Sequence, residues 1–272
     1  MLAVALVAVA VVLAVPLART GPHPGAAPSG ETKTVAPEHV APRSVSPVNL
    51  GGPAGQVLLD RVSAEAGPAV AAVQEFWGTD WGRDSAGPIV VVSTGSAAEF
   101  AARSGAGGER ADTAAVAVAD RVDPASRTAE GQRIVLAPGA GAMSPGDLRI
   151  VFRHELFHYA ARADTALDAP RWLTEGVADY VARPAPAAPV RIYTTHLPSD
   201  ADFTGTPEEL SAAYDRAWLF ARFVADRYGA PALRLLYLRG AGYAHADAAT
   251  AVRDVLGTGP DELLAQWGEW AR

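Results

Sequence analysis

Near Met143 the hydrophobic period of this chain changes from strand-like to helical, and that change limits the folds open to it. Before Met143 the apolar residues come in short β-branched runs bounded by Gly and Pro: "PIVVVSTG" (88–95), "TAAVAVAD" (113–120) and "QRIVLAPG" (132–139). Runs of this length and composition suit the strands of a small sheet, with "SAAEFAARSG" (96–105) as a helix packed on it. After Met143 apolar residues recur at three and four, the helical period. Ser144 stands as a cap, Pro145 at the first helical position and Asp147 in the first turn of "SPGDLRIVFRHELFHYAARA", which marks a helix start. Further helices are predicted over 169–183 and over 206–229, the latter ended by Gly229. Two or three more finish the chain, including 259–272. Upstream, residues 56–78 also show helical spacing, with Pro68 as a candidate break. The expected class is therefore α+β, with a small mixed α/β sheet subdomain over 54–142 and a mostly helical subdomain over 143–272.

Two segments precede that folded part. Residues 1–18 hold an apolar run from Leu2 to Leu17, short for a membrane span and suited to the core of a signal sequence or signal anchor. Residues 19–53 are rich in Pro, Gly, Ala and Ser with few large apolar residues, and read as a flexible tether. An extracytoplasmic protein, secreted or anchored by its N-terminal segment, is the expectation.

Composition narrows the chemistry. A formal charge of -7 gives no basic field for phosphates, so neither nucleic acid nor an anionic membrane surface is an expected partner. With no cysteine among 272 residues, disulfides, thiolate metal sites and a cysteine nucleophile are all excluded. Any metal must be held by His and carboxylates.

The stretch "RHELFHYAAR" (153–162) offers such a set. His154 and His158 are one turn apart and project from the same helix face, so both can point at one ion, and Glu155 between them can reach a water on that ion as general base. Glu175, on the next helix in "RWLTEGVADY", is the candidate third ligand, and Asp179 lies four residues on, on the same face. A carboxylate there can accept the second ring N–H of a ligand histidine, although an ordinary helix surface also carries Glu and Asp at this spacing. Asp164 is a competitor for third ligand, ten residues after His154. The extended motifs that use this position need a Gly for a sharp turn where this chain has Ala161, which favours Glu175.

"HELFH" and "WLTEGVADY" together resemble the gluzincin metallopeptidases, the group of thermolysin and aminopeptidase N, and "PIVVVSTGSAAEF … RIVLAPG … VFRHELFH" resembles the peptidase-MA-like families. The likeness covers roughly 88–229, though only its motifs are specific. It implies a zincin-like fold with the active site between the two subdomains. It also implies zinc on His154, His158 and Glu175, with Glu155 as base and Asp179 supporting a ligand histidine. "AYDRAWLFARFVADRYG" (213–229) resembles the aminopeptidase N-like helix whose tyrosine stabilises the oxyanion, which carries that role to Tyr214; the alternative is a packing tyrosine at the end of an amphipathic helix. Tyr159 reads as packing, and His23, His39, His196 and His245 fall outside the pattern. The chain departs from aminopeptidases at "GAMSPG" (141–146), where Ser144 stands in place of the glutamate that binds a free amine, so endopeptidase or carboxyl-side cleavage remains. By the same analogy, the strand "QRIVLAP" is expected to pair with an extended peptide. The expected function is a zinc peptidase acting on peptides or proteins. A catalytically idle binding module of the same fold, tethered at the cell envelope, is the alternative.

Overall fold

The computed structural model describes residues 43–81, 87–105, 113–185 and 196–271. The predicted signal segment and most of the predicted tether lie outside them. The described chain is α+β. Strands β1 (Val45–Asn49), β2 (Ile89–Ser93), β3 (Ala115–Val118) and β6 (Arg133–Leu136) form one sheet in the order β1-β2-β6-β3. β1, β2 and β6 run parallel and β3 is antiparallel to β6. Strands β4 (Arg121–Asp123) and β5 (Thr128–Glu130) make a separate hairpin between β3 and β6. The helices are α1 (Gly52–Trp77), α2 (Ala97–Ser104), α3 (Pro145–Ala161), α4 (Arg171–Ala182), α5 (Pro207–Tyr228), α6 (Ala230–Ala241), α7 (Ala248–Leu256) and α8 (Pro260–Trp270).

Two sequence expectations need correction. The tether does not extend to residue 53, because Val45–Asn49 is already the outer strand of the sheet, in register with Ile89–Ser93. Pro47 is tolerated there because an edge strand can lose a ladder donor that a central strand cannot. Pro68 does not break α1, which runs unbroken for 26 residues. Pro68 is exposed, so the carbonyl it leaves unpaired meets water, while Leu59, Val62, Ala66, Val70 and Val73 keep the helix on the core. The polar stretch after β3, to which the sequence assigned no element, folds into the β4–β5 hairpin.

Alternation of side chains across the sheet separates two cores. Ile134 and Leu136 of β6, with Ala115 and Ala117 of β3, face the large core shared with α1, α3 and α4. Val135, Val116 and Val118 face the other way, onto Phe100 of α2. The small alanines of β3 let α3 approach the sheet closely, and this brings the edge of the sheet to the functional residues. Ser144 caps α3 by accepting the Asp147 N–H at 3.1 Å. Every residue from His154 to Ala161 is buried, so the polar groups of that half of α3 must find partners inside the protein.

Gly176 of α4 has a packing reason. A Cβ at this position would stand 2.5 Å from the backbone oxygen of Ala217 on α5, so α4 and α5 meet only because the side chain is absent. Gly176→Ala is expected to cost about 1–3 kcal/mol of unfolding free energy through overpacking. Gly67→Ala, whose Cβ would meet nothing within 4 Å, should stabilise by about 0.5–1 kcal/mol. Denaturant unfolding of the two variants checks this, and equal effects would contradict it.

Candidate metal centre

His154 and His158 present their Nε2 atoms to each other at 3.0 Å. Glu175 Oε2 lies 3.3 Å from the first and 3.5 Å from the second. The three residues are buried and their ligand atoms lie within 4.8 Å of one another, so they could hold a metal ion. The chain returns from α3 to α4 through a 3₁₀ turn at Arg162–Asp164 and a pinned loop. There Thr165 Oγ1 donates to the Ala161 carbonyl at 2.8 Å and the Ala166 N–H donates to the Ala241 carbonyl at 2.8 Å. The loop therefore delivers α4, and Glu175 with it, at a fixed position over α3.

The donor set asks for a cation. Asp179 Oδ1 accepts the Nδ1–H of His154 at 2.9 Å, which in the neutral ring leaves the Nε2 lone pair facing His158 and Glu175. Glu175 Oε2 is buried with no hydrogen-bond donor among the described residues. Lone pairs and a carboxylate oxygen thus converge on one point, an arrangement that is costly unless a cation, whether a proton or a metal ion, is held there. Where protons are the only cations, burial pushes the His154 imidazolium down, but Asp179 and Glu175 reverse this and raise its pKa to about 10. His158 is shifted down, chiefly by burial. Burial also acts to raise Glu175, but the two histidines hold its carboxyl well below the usual range. Metal binding must therefore displace the His154 proton. At pH 7 it is expected to release at least about one proton, with apparent affinity rising about tenfold per pH unit through the neutral range. Calorimetry in buffers of different ionisation enthalpy measures this directly, and release of no proton would contradict it.

Asp179 belongs to a longer chain of charges. Its Oδ2 lies 2.8 Å from Nη2 of Arg183, whose Nη1 in turn lies 2.7 Å from Asp215 Oδ1. Arg183 fixes the carboxylate that orients His154. Sequence reading missed it, although its position four residues after Asp179 was a visible signal.

Glu155 is held from the sheet. Its Oε2 accepts the Ala117 N–H at 2.7 Å, and the Ala117 carbonyl accepts from Arg162 Nη2 at 2.5 Å. Burial raises the Glu155 pKa to about 8 against the pull of His154 and this hydrogen bond. The expectation that "QRIVLAP" pairs with a peptide is corrected here. That segment forms β6, which is flanked by β2 and β3, and both ladder groups of Ala117 on the edge strand β3 are already engaged.

Asp164, the competing ligand, is turned away. Arg127, in the β4–β5 turn, donates to it through Nε in a short contact and through Nη2 at 3.2 Å, and also pairs with Asp80 at 3.0 Å. Tyr214 is buried on α5, with its ring centroid 6.3 Å from that of His154 and 5.2 Å from that of Phe203. Tyr159 is buried in the main core. His245 uses Nδ1 on the Ala246 carbonyl and faces Asp168, His196 is exposed, and His23 and His39 lie outside the described residues.

A cavity of about 340 Å³ opens onto the centre, reaching His158 and Glu175. Arg162 and Arg171 stand in its wall and Leu167 also lines it, with none of the three singled out by the sequence motifs. Tyr214, Glu155 and His154 are not among its lining residues. Among the described residues no helix is long and apolar enough to cross a membrane. Comparison with family models, curated proteins and solved structures finds no match for the chain.

Proposed function

We propose that the protein is a zinc-dependent peptidase of zincin-like fold that hydrolyses peptide bonds outside the cytoplasm, with its active site between a sheet-containing part and a helical part. One observation carries the reading: three buried ligand atoms 3.0–3.5 Å apart, one of them an orphaned carboxylate oxygen. A tetrahedral zinc with ligands at about 2.0–2.1 Å separates them by roughly 3.3–3.4 Å, which the observed spacing fits. A set of two imidazoles and one carboxylate that leaves an opening on a cavity is the pattern of a catalytic rather than a structural site.

His154, His158 and Glu175 would hold the ion, which supplies Lewis acidity at the scissile carbonyl. Asp179, fixed by Arg183, keeps His154 in the tautomer that binds. Glu155 takes a proton from the attacking water and returns it to the leaving amine, a role open to a carboxylate held beside the centre by the Ala117 N–H. Tyr214, beside His154 and with its phenol pKa raised by burial, remains protonated and able to donate a hydrogen bond to the developing oxyanion. Tyr214→Phe is expected to lower kcat by roughly 10–1000-fold with KM and metal content nearly unchanged. Normal activity would reduce the residue to packing.

The overall reading is tested by incubating the purified protein with a mixed peptide library, with and without a chelator, and reading the products by mass spectrometry. Cleavage that stops on chelation and returns with zinc is expected. Selective peptide binding without cleavage would favour the idle binding module instead.

A further inference from the structure

The charges around the cavity are unevenly distributed. Two guanidinium groups stand in the wall, one deeply buried and the other, Arg171, with its side chain 21% exposed. Arg162 is only 6% exposed, and its Nη2 is fixed on the Ala117 carbonyl. Arg171 lies against the Phe203 ring, with its carbon 4.8 Å from the ring centroid, and its Nη1 donates to the Phe203 carbonyl at 3.3 Å. Its Nη2 is buried with no hydrogen-bond acceptor among the described residues, 3.9 Å from Glu175 Oε1. The three acidic groups of the lining, Asp168, Glu175 and Asp200, each face another partner. Asp200 Oδ1 accepts the backbone N–H of Arg171 at 2.9 Å, as a cap on α4. The Asp168 side chain is 88% exposed and faces His245. Glu175 is committed to the centre.

Cations set in a low-dielectric wall attract anions into the space they border, and a guanidinium can offer a carboxylate paired N–H donors. In a chain with a formal charge of -7, Arg162 and Arg171 are the fixed positive charges among the residues that line this cavity. We propose that the cavity receives a carboxylate on the leaving side of the scissile bond, selected by Arg171 with Arg162 behind it, so that the preferred substrates are anionic there. This rests on the peptidase reading for the word substrate but not for the selection of a carboxylate. The carboxylate can come from a free C-terminus or from a Glu or Asp side chain, and both are bounded by the 340 Å³ of the cavity, which lies at the small end of ligand sites.

Two experiments on the full-length protein test the proposal. In the first, calorimetry compares N-acetylalanine with N-acetylalaninamide, each titrated into the protein as purified. The acid is expected to bind at least ~10-fold more tightly. Arg171→Gln should remove that difference and Arg171→Lys restore part of it, with unchanged metal content and far-ultraviolet circular dichroism showing that the centre and fold are intact. In the second, kcat/KM is compared for a peptide and its C-terminal amide, and for amidated peptides with Glu or Gln after the scissile bond. At least ~10-fold preference for the anionic member of one pair identifies the source of the carboxylate. Hydrolysis with no preference in either pair overturns the proposal and leaves the peptidase reading standing, and equal binding of acid and amide overturns the proposal whatever the hydrolysis. Selective, Arg171-dependent acid binding without any hydrolysis supports the cavity and removes the peptidase reading.

Discussion

Replacing Glu155 by Gln is expected to slow peptide hydrolysis by at least ~100-fold while the protein keeps its metal. The substitution preserves size and leaves an amide oxygen that can still accept the Ala117 N–H now held at 2.7 Å. What it removes is the capacity to take a proton from water. Because Glu155 is not among the three converging ligands, metal content should not change, which separates loss of the base from loss of the site. The wild-type pH profile carries a matching signature. Burial raises the Glu155 pKa to about 8 in the metal-free protein, and a base works only when deprotonated, so activity must fall on the acid side of its pKa. A divalent cation nearby favours the carboxylate and moves that limb below 8. The acid limb should disappear in Glu155→Gln, leaving a low and flatter profile. Unchanged turnover in this variant would show that another group accepts the proton.

Glu175→Ala should release the metal, whereas Asp164→Ala should not. Among the described residues Glu175 supplies the anionic oxygen that faces both histidines, and without it two imidazoles remain. Loss of an outer-shell partner alone typically costs 10–100-fold in affinity, so loss of a ligand should cost more than ~100-fold. The Asp164 carboxylate instead holds Arg127 of the β4–β5 turn. Asp164→Ala should loosen that hairpin, which carries Val122 at the cavity, and change KM more than metal content. Elemental analysis of the two variants side by side decides the matter, and the reverse pattern would move the site onto Asp164.

The parts of this architecture legible in the sequence are those set by local chemistry. Ser144, Pro145 and Asp147 mark the start of α3 within a residue of where it lies, and Thr206 with Glu209 forms a capping box at α5. The i, i+4 rule brought His154 to His158, and the same rule would have led from Asp179 to Arg183. β1 was hidden because "VSPVN" carries a proline and little apolar weight; its strand conformation comes from pairing with β2, a contact 44 residues away in sequence. Arg162 and Arg171 were equally hidden. Nothing in their immediate neighbours distinguishes them from surface arginines, and only the packing of α3 against β3 and of α4 against Phe203 turns them inward. The same is true of Glu155, whose hold on Ala117 depends on which strand ends up at the edge of the sheet.

The central claim, a zinc centre on α3 and α4, is tested most directly by anomalous diffraction. Crystals of protein purified without chelator would be measured on either side of the zinc absorption edge. The expected result is one anomalous peak, present only above the edge, bounded by His154 Nε2, His158 Nε2 and Glu175 Oε2. A chain purified with no stoichiometric metal, or a peak coordinated by Asp164 in place of Glu175, would contradict it.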